Sequence, residues 1–167
     1  VPAQFGSNDI RLGLISGTHP MKFDGIPTSE DVSNVPVFRK SEMYLIIAEV
    51  EARAENITPA QDALFHVAKR NLDITAATQL PGTSEALLTF ISKEYIREFF
   101  QEGLRFYNAK RTGEIITVGG TMPNFDPSLF AFPIPADEIN AHFGVTQNED
   151  WFNYLPQEPA EEEEGEE

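Results

Sequence analysis

Carboxylates and guanidinium groups alternate along residues 93–111, and these are the side chains of the sequence best suited to chemistry. Glu94, Glu98 and Glu102 recur at intervals of four, so in a helix they share one face, and Arg105 follows three residues later. Paired carboxylates can serve acid–base catalysis when one of them has a raised pKa. A neighbouring guanidinium favours the ionised carboxylate instead, so the alternating pattern favours structural ion pairs.

Large apolar residues lie between these charged residues and indicate that some of the charged side chains are buried. Tyr95, Ile96, Phe99 and Phe100 leave the segment without a clean polar face, so a helix here must bury some of its charges. An unpaired ion in a dry interior costs about 3–5 kcal/mol, so buried charges require partners. We therefore expect at least two buried ion pairs between the first and third helices. A hydrolase that uses Glu98 or Glu102 stays open as the enzymatic alternative.

The expected members of this ion-pair network come from both helices. They are Arg39, Glu42, Glu49, Glu94, Arg97, Glu98, Glu102, Arg105 and Arg111. Catalytic residues are not expected among them.

A helical hairpin is predicted over residues 37–72. Its first helix, from Val37 to about Asn56, is apolar on nearly every side of its middle. Thr58 as a cap and Pro59 at the first helical position mark the start of the second helix. Because so few residues join the two helices, they must fold back on each other, like the helix pair of a tetratricopeptide unit.

A third, long helix is predicted over residues 84–111, with Ser84 as its cap and Gly103 in its interior. Residues 1–36 and 112–157 are predicted to be irregular, apart from a short turn after Pro135. The glutamate-rich residues 158–167 are predicted to form a disordered acidic tail. The fold class is thus mostly α, and residues 1–157 fit one domain or a large piece of one.

Composition excludes several classes of function. The formal net charge is −15, and no basic stripe is present, so nucleic acid is not expected as a partner. The chain has no cysteine, which excludes disulfides, thiolate zinc sites and cysteine nucleophiles. The three histidines have no mutual spacing that suggests a metal site, and neither a metal nor another cofactor is expected. No apolar run reaches the ~20 residues that span a bilayer.

Aromatic residues near the end of the chain are the candidates for ligand binding. Trp151, Phe152 and Tyr154 could stack on the apolar faces of sugar rings. They could equally anchor the end of the chain to the body of the protein, which is the interpretation we favour.

Three local patterns follow one another between residues 37 and 151. The first is the run from Arg39 to Glu49, and the third is Phe132-Pro133-Ile134-Pro135-x-x-Glu138-Ile139 with Gln147-Asn148. Between them lies Glu94-x-x-Arg97-Glu98-Phe99-x-x-Glu102-Gly103-x-Arg105, with Arg111 beyond it. In this order they resemble the C-terminal region of the SusD/RagB family, nutrient-binding lipoproteins of the Bacteroidetes outer membrane. The first 36 residues match this family only loosely, through Asp9-x-Arg11 and Lys22-Phe23.

The resemblance implies a SusD-like helical fold with a tetratricopeptide-like hairpin. It also implies a non-enzymatic protein on the cell-surface side of the outer membrane, which binds a glycan or a peptide and delivers it to a SusC-like TonB-dependent transporter. The membrane would be reached only through an N-terminal lipid anchor, and we expect that anchor and the N-terminal half of the domain to lie outside this chain. A protein-interaction scaffold built on the helical hairpin remains the alternative function.

Two departures from the family pattern concern local pairing. Asn108 stands where an aspartate is usual, and Asn140 is followed by Ala141-His142 where asparagine-proline is common.

Overall fold

Helices dominate the computed structural model, which describes residues 2–17, 19–22, 37–117, 127–141, 144–151 and 154. The α-helices are α1 (Lys40–Arg53), α2 (Ile57–Ala68), α3 (Ser84–Glu98), α4 (Leu104–Thr112) and α5 (Ala136–Asn140). Short 3₁₀ turns lie at Pro2–Gln4, Ile10–Leu14, Ala77–Gln79, Pro127–Phe130 and Glu149–Trp151. Two antiparallel two-residue strands, β1 (Ile15–Ser16) and β2 (His19–Pro20), are the only strands in these ranges. The predicted mostly helical fold class is confirmed.

Two compact units make up the chain, Val1–Arg105 and Phe106–Glu167. The first unit holds α1, α2 and α3, and the second holds α5 and most of α4. No helix in the described ranges is both long and apolar enough to cross a membrane.

Small residues bring α1 and α2 together as a hairpin. Ala48 and Ala52 of α1 and Ala60 of α2 are fully buried, which allows the two helices to approach closely. Leu64 of α2 and Leu87 of α3 fill the same core, so α3 packs on the hairpin as a third helix. The predicted hairpin is confirmed.

The helix caps differ by a residue or two from those expected. The residue that caps α2 is Asn56, not Thr58, and Gln61 uses its side-chain amide to donate to the carbonyl oxygens of Leu80 and Pro81, at 3.1 and 3.0 Å. Thr83 caps α3 and accepts from the amide of Ala86, whereas the neighbouring Ser84 hydroxyl donates to the carbonyl oxygen of Ala52 at 2.6 Å. Gln61 and Ser84 are thus engaged in tertiary hydrogen bonds, which the local sequence pattern does not reveal.

The unbroken helix expected over residues 84–111 is wrong, because the chain turns between α3 and α4. The carbonyl oxygen of Glu98 accepts from the side chains of Lys22 and Arg39, and the amide of Glu102 bonds to Phe99 instead. These cations thus take the acceptor that the next helical hydrogen bond would need. Gln101 and Gly103 then adopt left-handed backbone angles, with φ of 65° and 73°.

Gly103 is predicted to be needed for this turn. Gly103→Ala should lower the free energy of unfolding by about 1 kcal/mol, because a Cβ is disfavoured at positive φ. The control is Gly82→Ala, since a Cβ at Gly82 also meets open space but its φ is not positive. In urea unfolding, Gly103→Ala should therefore have its midpoint at a lower urea concentration than Gly82→Ala. Equal midpoints would contradict the role assigned to Gly103.

Candidate functional site

Arg11 is the centre of a buried cluster of charges in the first unit. Its side chain is 4% exposed and lies in the 3₁₀ turn Ile10–Leu14. The guanidinium donates to both carboxylate oxygens of Asp9, at 2.9 and 2.6 Å, and to Glu94 at 3.0 Å and Glu98 at 3.2 Å. One cation therefore joins the N-terminal segment to two successive turns of α3.

A second group of cations surrounds the end of α3. Arg39, at the start of α1, contacts Glu98 at 2.8 Å and Glu102 at 3.2 Å. Lys22 contacts Glu102 as well, and Arg70, just beyond α2, lies 3.4 Å from Glu98. The N-terminal segment, the start of α1 and the end of α2 thus all contact the C-terminal end of α3.

These residues form what we call the ion-pair network. Its members are Asp9, Arg11, Lys22, Arg39, Arg70, Glu94, Arg97, Glu98 and Glu102. Sequence reasoning missed Asp9, Arg11, Lys22 and Arg70 as members. For Asp9, Arg11 and Lys22 the available signal was the loose family match through Asp9-x-Arg11 and Lys22-Phe23, which gave no indication of their partners.

The pKa values of the network reflect both burial and pairing. Burial alone raises the pKa of Asp9, but its hydrogen bonds with Arg11 and the charge of Arg11 outweigh burial and hold that pKa below its ordinary value. Burial alone lowers the pKa of Arg11, but the hydrogen bonds to Asp9 and Glu94 raise it above its ordinary value. Burial lowers the pKa of Lys22, and Glu102 offsets this only in part.

Other residues expected in the network lie elsewhere. Glu49 pairs with Arg53 within α1 at 2.8 Å, and Glu42 is half-buried without an ion pair to any residue of the described ranges. Arg111 donates to the side-chain oxygen of Asn108 at 2.8 Å, and Arg105 is half-buried near the start of α4. Among the residues that the structure describes, the buried side-chain amide nitrogen of Asn108 finds no hydrogen-bond partner.

An aromatic cluster lies in the second unit. Its members are Phe106, Phe130, Phe132, Trp151 and Tyr154. The rings of Phe106 and Phe132 stack with centroids 5.3 Å apart, and Trp151 lies 6.5 Å from Phe132. Trp151 is 5% exposed and its indole N–H donates to the carbonyl oxygen of Ala131 at 2.7 Å, which suits an anchor.

Two rings of the aromatic cluster remain open to solvent. Phe132 is 62% exposed and Tyr154 is 50% exposed. Phe152, the third candidate from the sequence, lies outside the described residues. The structure thus brings Trp151 and Tyr154 together, with centroids 6.1 Å apart, and adds Phe132, which the sequence reasoning did not name as a binding candidate.

A known protein family matches most of this chain. The family model described as SusD family matches residues 20–151, well over half of the chain. The chain belongs to the SusD family. This confirms the resemblance seen in the three sequence patterns, and the match includes every α-helix and most of the ion-pair network, whereas Asp9 and Arg11 precede it.

Membership in the SusD family carries a general function. The family consists of non-catalytic binding proteins, and membership implies a nutrient-binding role at the outer membrane. Neither the curated proteins nor the solved structures contain a match to this chain.

Removal of Arg11 is predicted to destabilise the first unit strongly. Arg11→Met should lower the free energy of unfolding by about 3–5 kcal/mol, because it leaves buried carboxylates without their shared cation. The matched control is Arg53→Met, since Arg53 is 56% exposed and its pair with Glu49 should contribute less than about 1 kcal/mol. Chemical denaturation gives both values, and a loss of similar size in the two variants would contradict a special role for Arg11.

Asp9 is predicted to make stability depend on acid pH. Because its folded pKa is lowered, ionised Asp9 stabilises the fold above its unfolded pKa of about 3.9, and this contribution is lost as the pH falls through the folded pKa. Asp9→Asn should therefore cost about 2 kcal/mol at neutral pH and progressively less below about pH 4. Urea unfolding across this range measures the effect, and Asp62→Asn, at an exposed position of α2, is the control. If Asp9→Asn lowered the free energy of unfolding by the same amount at every pH, the role assigned to ionised Asp9 would be wrong.

Proposed function

We propose that this protein binds a glycan or a peptide on the cell-surface side of the outer membrane and passes it to a SusC-like TonB-dependent transporter. The observation that carries the proposal is the SusD family match over residues 20–151. A lipid anchor would provide the only attachment to the membrane. The protein acts by binding, without turning its ligand over.

The ion-pair network supports the non-enzymatic part of this proposal. Glu94 contacts Arg11 and Arg97, and Glu98 contacts Arg11, Arg39 and Arg70. A general acid has to hold a proton, and an adjoining guanidinium disfavours the protonated carboxyl group. The arrangement therefore suits a structural clamp better than hydrolysis by Glu98 or Glu102.

The exposed rings of the aromatic cluster are the proposed contact for the ligand. Phe132 and Tyr154 are both exposed to solvent, and both contact the buried Trp151, which donates a hydrogen bond to Ala131. The ring carbons of a pyranose present a flat apolar face that suits such a platform, and so does the side chain of an apolar peptide residue. Phe152 remains a further candidate of the same type.

Loss of an exposed ring is predicted to weaken glycan binding. In affinity gel electrophoresis with soluble starch, xylan, mannan and pectin, Phe132→Ala and Tyr154→Ala should each reduce affinity for the retarding glycan by about threefold to tenfold, because each removes stacking area. Phe38→Ala is the matched control, since Phe38 is 83% exposed in the first unit. A digest of casein peptides, titrated by calorimetry, tests the peptide alternative.

Two outcomes would count against the proposal. One is the absence of binding to any of these glycans or peptides. The other is the release of smaller sugars that stops in Glu98→Gln, which would show turnover and support the hydrolase alternative.

A scaffold for protein interactions is favoured by one specific observation. Met43, Ile46, Ile47 and Val50 recur at helical spacing on α1 and are each 43–60% exposed. An apolar stripe of this kind can bind another helix. Binding of proteins through this stripe, together with indifference to glycans, would support the scaffold over the nutrient-binding function.

A further inference from the structure

A groove of about 420 Å³ lies beside α3, wholly within the first unit. Its apolar wall consists of Pro81, Ala86 and Phe90, and four polar side chains complete the lining. Small-molecule sites typically occupy about 300–1,000 Å³ and combine an apolar lining with a few convergent polar groups. The groove has a volume and a composition in this range, but it is open to solvent, since five of its seven lining residues are exposed. It shares no residue with the aromatic cluster of the second unit.

The wall of the groove at Pro81 is held in place by hydrogen bonds. Gln61 donates to the carbonyl oxygens of Leu80 and Pro81 from the neighbouring helix α2. The hydroxyl of Ser84, three residues beyond Pro81, donates to the carbonyl oxygen of Ala52 of α1 at 2.6 Å. Because both ends of this short segment are fixed to the helical core, the groove is pre-formed, and a ligand would not have to order it.

Phe90, the aromatic residue that lines the groove, is held in place as well. Phe90 is half-buried and packs against the hydrophobic core. The guanidinium of Arg97 lies over its ring, 5.2 Å from the centroid, and Arg97 is itself held by Glu94 at 2.8 Å. The ring therefore has a defined orientation, with one face covered by Arg97, so that a ligand can contact only the part of the ring that remains open.

The polar side chains of the groove include both hydrogen-bond donors and acceptors, and their formal charges sum to zero. The hydroxyl of Thr83 accepts from the amide of Ala86 and so keeps its proton to donate. The hydroxyl of Thr89 donates to the carbonyl oxygen of Glu85 and so keeps its oxygen to accept. The side chains of Glu85 and Lys93 add one acceptor and one donor of opposite charge.

We propose that this groove is a binding site for a segment of a neutral oligosaccharide. A pyranose combines an apolar ring face, which suits Phe90 and Pro81, with hydroxyl groups that both donate and accept hydrogen bonds. The cancelling charges of Glu85 and Lys93 favour an uncharged ligand over an anion or a cation. The inference rests on the proposed nutrient-binding function and specifies a second contact for the same class of ligand.

The site can be tested on the full chain with maltotriose, cellotriose, xylotriose and mannotriose as probes. Amide NMR shifts should move at Gly82 and Thr89, and affinity should fall by about tenfold in Ala86→Trp, whose side chain fills the groove. Ala54→Trp is the matched control, because Ala54 is likewise exposed but ends α1 outside the groove. Thr89→Val, which keeps the shape and removes the hydroxyl, should weaken binding about threefold even if Ala86→Trp folds poorly.

Salt dependence separates a neutral sugar from a charged ligand. Affinity for the sugar should stay constant between about 0.02 and 0.3 M salt, since screening acts on charged partners. If the tripeptide glycyl-phenylalanyl-glycine binds in the groove, with an affinity that falls with salt, and the sugars do not bind there, the assignment to oligosaccharides is wrong.

Failure of the groove can be told apart from failure of the proposed function. Sugar-induced shifts confined to residues 127–154, and unaffected by Ala86→Trp, would overturn the groove site and leave glycan binding standing. Absence of binding to any sugar or peptide anywhere on the chain would overturn both.

Discussion

The first unit depends on a buried guanidinium that is shared among three carboxylates. Arg11 contacts Asp9, Glu94 and Glu98, and each of these side chains is almost inaccessible to water. Removing such groups from water is costly, and good geometry with several hydrogen bonds has to offset that cost. The cluster therefore ties the N-terminal segment to two successive turns of α3.

The same electrostatics determines where α3 ends. A helix leaves its last carbonyl groups without partners and concentrates negative potential at that end. Lys22 and Arg39 bind the carbonyl oxygen of Glu98, and both also reach the carboxylate of Glu102. The turn that follows, with left-handed angles at Gln101 and Gly103, is thus stabilised by cations from two distant parts of the chain.

Sequence patterns predicted the local features well and the tertiary ones poorly. The spacing of apolar and small residues was sufficient for the hairpin of α1 and α2, because helical periodicity is a property of neighbours along the chain. The break after Glu98 could not be predicted in the same way, since a single interior glycine, Gly103, is a weak local signal and the causes of the break, Lys22 and Arg39, lie 76 and 59 residues away from Glu98. Arg11 was missed for the same reason, whereas the burial of Trp151 agrees with its interpretation as an anchor.

The separation of Arg11 from Glu94, 83 positions along the chain, has a consequence for the order of folding. The hairpin of α1 and α2 needs only local contacts and can form early, while closing a loop of this length carries a larger entropic cost. During synthesis Arg11 emerges long before Glu94 and Glu98, two of its three acidic partners. We therefore expect the N-terminal segment to dock as a late step, so that its contacts influence the rate of unfolding more than the rate of folding.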